Sequence, residues 1–111
     1  MAQIAQKIVP HIWLDQDAAA AAEFYVGIFK NSRILRTSYY AGAAEQISGQ
    51  KKGTVMSVSI AIEGQKFIFL NGGPLFKPTE AISFVVYCSN QAEIDYFWEK
   101  LSFVPEAQQC G

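Results

Sequence analysis

The pattern of apolar and polar positions near the N-terminus predicts a strand followed by a helix. Residues 8–14 alternate in a way that suits a strand with both faces partly covered. Asp17 follows, and its side chain is of the type that caps the first free amides of a helix. Asn31 and Ser32 predict the end of that helix. The residues expected on its apolar face are Ala18, Ala21, Ala22, Tyr25, Ile28 and Phe29.

The middle of the chain predicts three more strands. Residues 33–40 read as a strand of mixed polarity, followed by a glycine-containing loop of roughly a dozen residues. Residues 56–62 alternate between apolar and small polar side chains, and the turn Glu63-Gly64 leads directly into residues 66–70. This combination predicts a β-hairpin. Asn71-Gly72-Gly73-Pro74 then breaks the pattern and is expected to connect the two halves of the protein.

The C-terminal part predicts a fifth strand and a second helix. Residues 82–88 form a mostly apolar run, which favours a strand. Asn90, with Glu93 three residues later, forms a capping box at the start of a helix. The residues expected on the buried face of this helix are Ile94, Phe97, Trp98 and Leu101.

The second strand and helix repeat the first in pattern. Residues 9–29 and 82–102 each contain an apolar run, a capping residue and, at the same distance, an aromatic pair. The pairs are Phe24-Tyr25 and Phe97-Trp98. Such self-similarity indicates a duplicated structural unit. Residues 103–111 are too few to match the strand-like sequence that follows the first helix.

The element order and the repeat together predict the fold class. A strand, a helix and three strands form a βαβββ unit, a curved sheet with its helix on the outer face. Two such units side by side enclose a concave cup. We therefore predict an α+β fold of paired βαβββ modules within one domain, residues 1–111. The first module covers residues 8–71, and the second, over residues 81–111, is truncated after its helix.

Three stretches resemble a known family: AEFYVGIFKNSRI at 22–34, FLNGGPLFKPTEAISFVV at 69–86 and EIDYFWEKL at 93–101. They are similar to the PhnB-like branch of the vicinal oxygen chelate superfamily, which contains glyoxalases, bleomycin-resistance proteins and dioxygenases. Many relatives carry the label 3-demethylubiquinone-9 3-methyltransferase. The resemblance implies a glyoxalase-like domain. Family members generally pair, so we expect a homodimer.

The resemblance also bears on metal binding. In metal-using members the ligands come from the first, fourth, fifth and last strands. His11 falls at or next to the first-strand position, whereas Phe69-Leu70-Asn71 and Ala81-Ile82-Ser83, at the fourth and fifth, offer no imidazole or carboxylate. A catalytic metal needs about three protein ligands. We therefore predict no cofactor and no complete metal site, with His11 as the candidate ligand should a divalent metal bind.

Aromatic residues on the strands suit a small-molecule pocket, and they suit a hydrophobic core equally well. Ile12 and Leu14 should face the helix. By alternation, we expect Trp13 and the aromatic residues Phe67, Phe69 and Phe84 of the other strands to face the cup. Asn71, at a strand end, is expected to point inward. The candidate cavity residues are His11, Trp13, Phe67, Phe69, Asn71 and Phe84.

No catalytic residue is predicted. Glu45 and Glu80 lie in or near loops, where carboxylates are usually solvated. Cys88 has no basic neighbour or assigned histidine partner that would activate a thiol. Cys88 and Cys110 match neither a disulfide framework nor a metal pair, and we expect reduced thiols.

Composition and charge narrow the classes of partner. Half of the 111 residues are hydrophobic, enough for a packed core, and the net charge is −1, with nine basic and ten acidic residues. Because the charges are scattered, we expect no nucleic-acid or membrane partner. We find no signal peptide or membrane-spanning run and expect a cytoplasmic protein.

The function predicted from the sequence is a small-molecule-binding cup of unknown specific activity. One alternative is a metal-dependent lyase, dioxygenase or thiol transferase whose site is completed across a dimer. A second is the methyltransferase that the family label states, although no strand leads into a glycine-rich loop for a nucleotide-like methyl donor. A third is a structural dimer with no ligand.

Overall fold

The computed structural model describes residues 6–41 and 53–102. It divides into two compact units, Met1–Thr79 and Glu80–Gly111. The first unit contains four strands and a helix, and the second contains a helix. In chain order the elements are β1 (His11–Leu14), α1 (Ala18–Ile28), β2 (Ser32–Tyr39), β3 (Val55–Ile62), β4 (Gln65–Asn71) and α2 (Gln91–Leu101).

The four strands form one mixed sheet in the order β1-β4-β3-β2. β1 runs parallel to β4, whereas β3 pairs antiparallel with both β4 and β2. The β3–β4 hairpin turns at Glu63 and Gly64, both at positive φ (50° and 79°), which is the backbone that two-residue hairpin turns require. The strand and helix order is βαβββ, so the predicted α+β class is confirmed, as is the hairpin.

Helix α1 covers one face of the sheet. The core between them consists of Ala18 and Ala22 from the helix and Val58, Ile60 and Phe69 from the sheet, all at most 4% exposed. The small alanine side chains let the helix backbone approach the sheet closely, and the larger strand side chains fill the space between them. The predicted apolar helix face is therefore the one that packs.

The N-terminus of α1 is capped from a distance. Asp17 occupies the N-cap position, but its side chain makes no capping hydrogen bond. Instead, the Ala18 amide donates to Oδ1 of Asn71, at the end of β4, over 2.8 Å. The prediction that the Asp17 side chain caps this helix is therefore wrong, and the capping bond that the structure shows comes from Asn71 on β4.

The second unit begins its helix as predicted. The Glu93 amide donates to Oδ1 of Asn90 over 2.9 Å, and the Ser89 amide donates to Oε1 of Glu93 over 2.8 Å. These two reciprocal bonds satisfy amides that have no partner within the helix, which is the function of a capping box. The predicted capping box is confirmed.

Two other predictions for this unit are corrected. Residues 82–88 are not part of a regular strand, and helix α2 has no buried residue: Ile94 and Trp98 are 46% and 47% exposed. A strand requires a second backbone to pair with, and a helix requires a surface to cover. The described residues of this unit, 80–102, contain no strand that could provide either.

Within the described ranges, neither helix is long and apolar enough to cross a membrane. The predicted cytoplasmic location and the module limits 8–71 and 81–111 stay predictions.

Candidate functional site

The strand register assigns every side chain of the sheet to one of two faces. Side chains on paired residues lie on the same face, and successive residues alternate. Ile12 pairs with Phe69 and Phe69 with Val58, so these three share the face that packs on α1. The opposite face, which we call the distal face, carries the residues that alternate with them.

Three rows of side chains cross the distal face. The register defines them as Trp13, Leu70, Ser57 and Ser38; His11, Ile68, Ser59 and Arg36; and Lys66, Ala61 and Arg33. In the first two rows, β1 and β4 carry the apolar Trp13, Leu70 and Ile68 together with His11, whereas β3 and β2 carry hydroxyl and cationic side chains. The distal face therefore combines an apolar half with a polar half.

The hydroxyl groups of this face were not identified from the sequence. Ser38 Oγ and Ser57 Oγ lie 2.5 Å apart in a hydrogen bond between β2 and β3. Ser59 lies one row away, beside Arg36 on the adjacent strand. The alternation of Ser57 and Ser59 with Val58 and Ile60 was the available signal, but their relation to β2 depends on a register that contains irregularities.

Trp13 is fixed at the end of the distal face. Its Nε1 donates to the Gly73 carbonyl oxygen over 2.9 Å, and the Phe76 ring meets the indole edge-on with centroids 4.9 Å apart. A β-carbon at Gly72 would clash with the indole, lying 2.6 Å from Cη2. Glycine is therefore required at position 72 for the close approach of backbone to indole, and Trp13 is half-buried in a defined orientation.

The Asn71-Gly72-Gly73 segment is bonded to the end of β1. The Gly72 amide donates to the Leu14 carbonyl over 2.9 Å, and the Gly73 amide donates to the Asp15 carbonyl over 3.2 Å. Gly73 has φ of 92°, a left-handed conformation that glycine adopts without a steric penalty. Because these bonds occupy the Gly72 and Gly73 amides, the amides are not free to bind a ligand. The segment instead forms a wall beside Trp13.

Asn71 is the buried polar residue at the centre of this region, 7% exposed. Besides accepting from Ala18, its side chain donates through Nδ2 to the Val55 carbonyl over 3.1 Å. The Tyr40 hydroxyl donates to the Asn71 carbonyl. The prediction that Asn71 points into the cup is therefore corrected: its side chain lies on the helix side of the sheet, where protein groups occupy its polar atoms.

Phe67 and Phe69 do not share a face with Trp13. Both pack with the core beneath α1, and the Phe69 ring stacks on Tyr25 with centroids 5.8 Å apart. The prediction that they face the same surface as Trp13 is corrected by the parallel register, which pairs Phe69 with Ile12 and Leu70 with Trp13. Phe84 belongs to the second unit, where it is 55% exposed. Of the six candidate residues, His11 and Trp13 lie on the distal face.

His11 is exposed, and its Nδ1 lies 3.1 Å from the Val9 carbonyl oxygen, to which it donates when that nitrogen carries the proton. Its neighbours across the sheet are Ile68 and Ser59, which are not ligands that a catalytic divalent metal prefers. Among the described residues, no three His, Cys, Asp or Glu side chains come together to hold a metal. The described residues around His11 therefore do not supply the three ligands that a catalytic divalent metal needs.

The other chemically reactive candidates are dispersed. Glu80 is exposed at the start of the second unit, and Glu45 and Cys110 lie outside the described residues. Partial burial raises the pKa of the Cys88 thiol, and the nearby negative charge of Glu93 and a hydrogen bond to its side chain raise it further. Because the thiolate is the nucleophile, this environment keeps Cys88 in its less reactive form.

This account of Cys88 predicts the effect of removing the carboxylate. In a Cys110→Ser background, Glu93→Gln should lower the pKa of Cys88 and raise its iodoacetamide alkylation rate at pH 8 about two- to threefold. The pH at which the rate is half-maximal should fall. The matched control is Asp95→Asn on the same helix, where the carboxylate accepts from Gln91 Nε2. Equal alkylation rates in the Glu93→Gln variant and its parent would contradict the assigned role of Glu93.

A shallow depression of about 270 Å³, open to solvent, adjoins the hairpin end of the sheet. It is lined by Asn31, Ser32, Arg33, Ala61 and Gly64. Ala61 and Arg33 belong to the row of the distal face farthest from Trp13. The depression therefore lies next to the cationic part of that face.

A sheet built as βαβββ, with a helix on one face and polar and aromatic side chains on the other, defines a compact α+β module. The amino-acid sequence identifies the family to which this module belongs. Residues 6–111 match the model of the 3-demethylubiquinone-9 3-methyltransferase family, and the chain belongs to that family. The name is a family label, and the specific activity of this chain is not established by it.

A solved structure agrees with this assignment. A PhnB protein from Bacillus cereus, which carries the same family label, is 30% identical, with a TM-score of 0.72 over 87% of this chain and 74% of its own. A protein from Staphylococcus aureus is 20% identical, with a TM-score of 0.47 over 85% of this chain and 65% of its own, too distant to carry an argument. No curated protein matches the chain.

Proposed function

We propose that this PhnB-like protein is a glyoxalase-like member of the vicinal oxygen chelate superfamily that binds a small organic molecule on the distal face. The observation that best supports this proposal is the fixed orientation of Trp13. Gly73 and Phe76 hold its aromatic side chain at the end of a face that also presents hydroxyl groups. An ordered aromatic wall with a few polar groups is what a small-molecule site requires.

We also propose that one chain by itself does not hold a catalytic metal ion. His11 is the single histidine of the sequence, and its neighbours across the sheet are Ile68 and Ser59. A metal-dependent lyase, dioxygenase or thiol transferase would need further ligands from a second chain. Binding without redox or Lewis-acid chemistry is the simpler use of the side chains present.

Methyl transfer is not part of the proposal, although the family label names it. β1 passes into α1 through Asp15, Gln16 and Asp17, a connection without glycine. The first amide of α1 is bonded to Asn71 instead of being available to a phosphate or carboxylate group. This strand–helix connection therefore lacks the features by which nucleotide-like donors are usually held.

We further propose that the protein is a homodimer. Ile82, Val85 and Tyr87 of the second unit are 69%, 71% and 91% exposed, an apolar stretch of a kind that soluble proteins usually cover. A second copy of the chain would supply the covering surface. Association would bury these side chains and strengthen with protein concentration.

Native mass spectrometry of freshly purified protein tests these proposals together, because one spectrum reports subunit number, metal and copurified ligand. The expected result is a dimer without a divalent metal that carries additional mass. Ser59→Phe, which fills the middle of the distal face, should remove that mass. The matched control, Ala19→Phe on the exposed surface of α1, should keep it.

Each part of the proposal has its own contradicting result. Additional mass that survives Ser59→Phe would exclude the distal face as the site. One metal per chain, lost in His11→Ala, would support the metalloenzyme alternative. A monomer at micromolar concentration would exclude the dimer, and a chain without additional mass would contradict a copurifying ligand.

A further inference from the structure

All basic side chains of the four strands lie on one face of the sheet. They are His11, Arg33, Arg36 and Lys66, and the register places each of them on the distal face. None of the four strands contains Asp or Glu. The chain as a whole has a net charge of −1, so the segregation of cations on this face is local.

The cations of this face are not neutralised by neighbouring side chains. Within residues 6–41 and 53–102, Arg33, Arg36 and Lys66 form no ion pair, and the nearby Glu63, in the β3–β4 turn, pairs with none of them. Arg33 and Arg36 are exposed, and Lys66 is half-buried. A guanidinium group without a carboxylate partner is available to bind an oxyanion in two parallel hydrogen bonds.

Hydroxyl donors lie beside Arg36. Ser59 is its neighbour on β3, and its hydroxyl has no partner within the described residues. In the Ser38–Ser57 pair one hydroxyl hydrogen is used between the two oxygens, which leaves one to donate outward. Arg36 and these hydroxyls together can satisfy several oxygens of one anionic group.

The apolar half of the distal face adjoins these donors. Ile68 lies next to Ser59 in the row of Arg36, and Leu70 lies next to Ser57 in the row of Trp13. Neighbouring strands are about 4.8 Å apart, so side chains of one row on β2 and β4 are about 10 Å apart, a distance that an anionic group with an attached ring or short alkyl group can span. The face is therefore suited to a ligand with one charged end and one apolar end.

We infer that the distal face binds a small organic anion, with Arg36 and Ser59 on its carboxylate or phosphate group and Ile68, Leu70 and Trp13 against its apolar body. This inference rests on the proposed function, because it names the chemical class of ligand for the same surface. Arg33 and Lys66, one row away, add long-range attraction without direct contact.

The test is an NMR titration of the 111-residue chain with phenyl phosphate, benzoate and the neutral benzamide. The anionic probes should shift the backbone amides around Ser57, Ser59 and Arg36 saturably. Arg36→Gln should weaken their binding about five- to tenfold. The matched control, Lys30→Gln, removes the same charge outside the strands and should change the Kd less than about twofold. A preference for phenyl phosphate or benzoate identifies the oxyanion.

Three results would overturn the inference. If Arg36→Gln and Lys30→Gln weaken binding equally, the effect is one of net charge. If benzamide binds as tightly as benzoate at this face, the anionic group is not recognised, while the proposed small-molecule site stands. If neither anion shifts these amides, the distal face does not take this class of ligand, and the copurified mass remains the separate test of the proposed function.

Discussion

Replacing Asn71 with alanine is expected to lower the free energy of unfolding by about 2–4 kcal/mol. The Asn71 side chain accepts from the Ala18 amide and donates to the Val55 carbonyl, so its removal leaves two backbone groups unpaired near the core. Each such group typically costs about 1–3 kcal/mol when it is buried. Urea unfolding followed by circular dichroism measures the loss.

The control distinguishes a long-range cap from a local one. Asp17→Ala removes the residue at the N-cap position, whose side chain makes no capping bond, and should change stability by about 0.5 kcal/mol or less. Asn71→Asp keeps an acceptor for Ala18 and should lose less than Asn71→Ala, which makes the comparison possible should the alanine variant fail to fold. Equal losses from Asp17→Ala and Asn71→Ala would show that the helix is capped locally.

Replacing Gly72 with alanine is expected to destabilise the protein by about 1–3 kcal/mol. The added methyl group would overlap the Trp13 indole and displace it from its bond to the Gly73 carbonyl. The fluorescence of Trp13, measured in a Trp98→Phe background, should shift to longer wavelength as the indole becomes more exposed. Thermal or urea unfolding of the same variants gives the stability change.

A double-mutant cycle shows whether the indole is the cause. In a Trp13→Leu background, Gly72→Ala should lose about 1 kcal/mol less than in the parent, because the clash is gone. Gly27→Ala is the matched control: a β-carbon added there would meet no atom within 4 Å, and alanine at this exposed position of α1 should stabilise by about 0.5 kcal/mol. Purely additive effects of Gly72→Ala and Trp13→Leu would contradict the packing described.

These two positions matter for function because they set the geometry of the distal face. Asn71 joins the start of α1 to β3 and β4, and Gly72 allows the backbone to pass over Trp13. Neither needs to touch a ligand. Their substitution should weaken ligand binding through the position of Trp13, whereas Arg36→Gln should weaken binding without loss of stability.

Local signals in the sequence were sufficient for most elements. The alternation in residues 56–62, the Glu63-Gly64 turn and the Asn90–Glu93 capping box depend on neighbouring residues, and the structure shows all of them. The strand at residues 82–88 was predicted from an apolar run alone and is absent, because a strand depends on a pairing partner as well as on composition.

The candidate site was less accessible to sequence reasoning. Alternation separates the side chains of a strand into two sets, but it does not say which set meets the helix. Phe67 and Phe69 were therefore grouped with Trp13, and the cations of β2 were not related to the serines of β3. The pairing of Arg36 with Ser59 follows an irregularity in the β2 register after Ile34, which no local pattern announces.

The α+β class, the βαβββ order, the hairpin and the second helix with its cap all follow from the amino-acid sequence, because they depend on hydrophobic period, turn residues and contacts within a few positions of each other. Three features became visible in the folded chain: which face carries Trp13 and the cationic side chains, that Asn71 and not Asp17 caps α1, and that Gly72 lies against Trp13. The last two features join residues more than fifty positions apart, and the register of the folded sheet is what brings all three together.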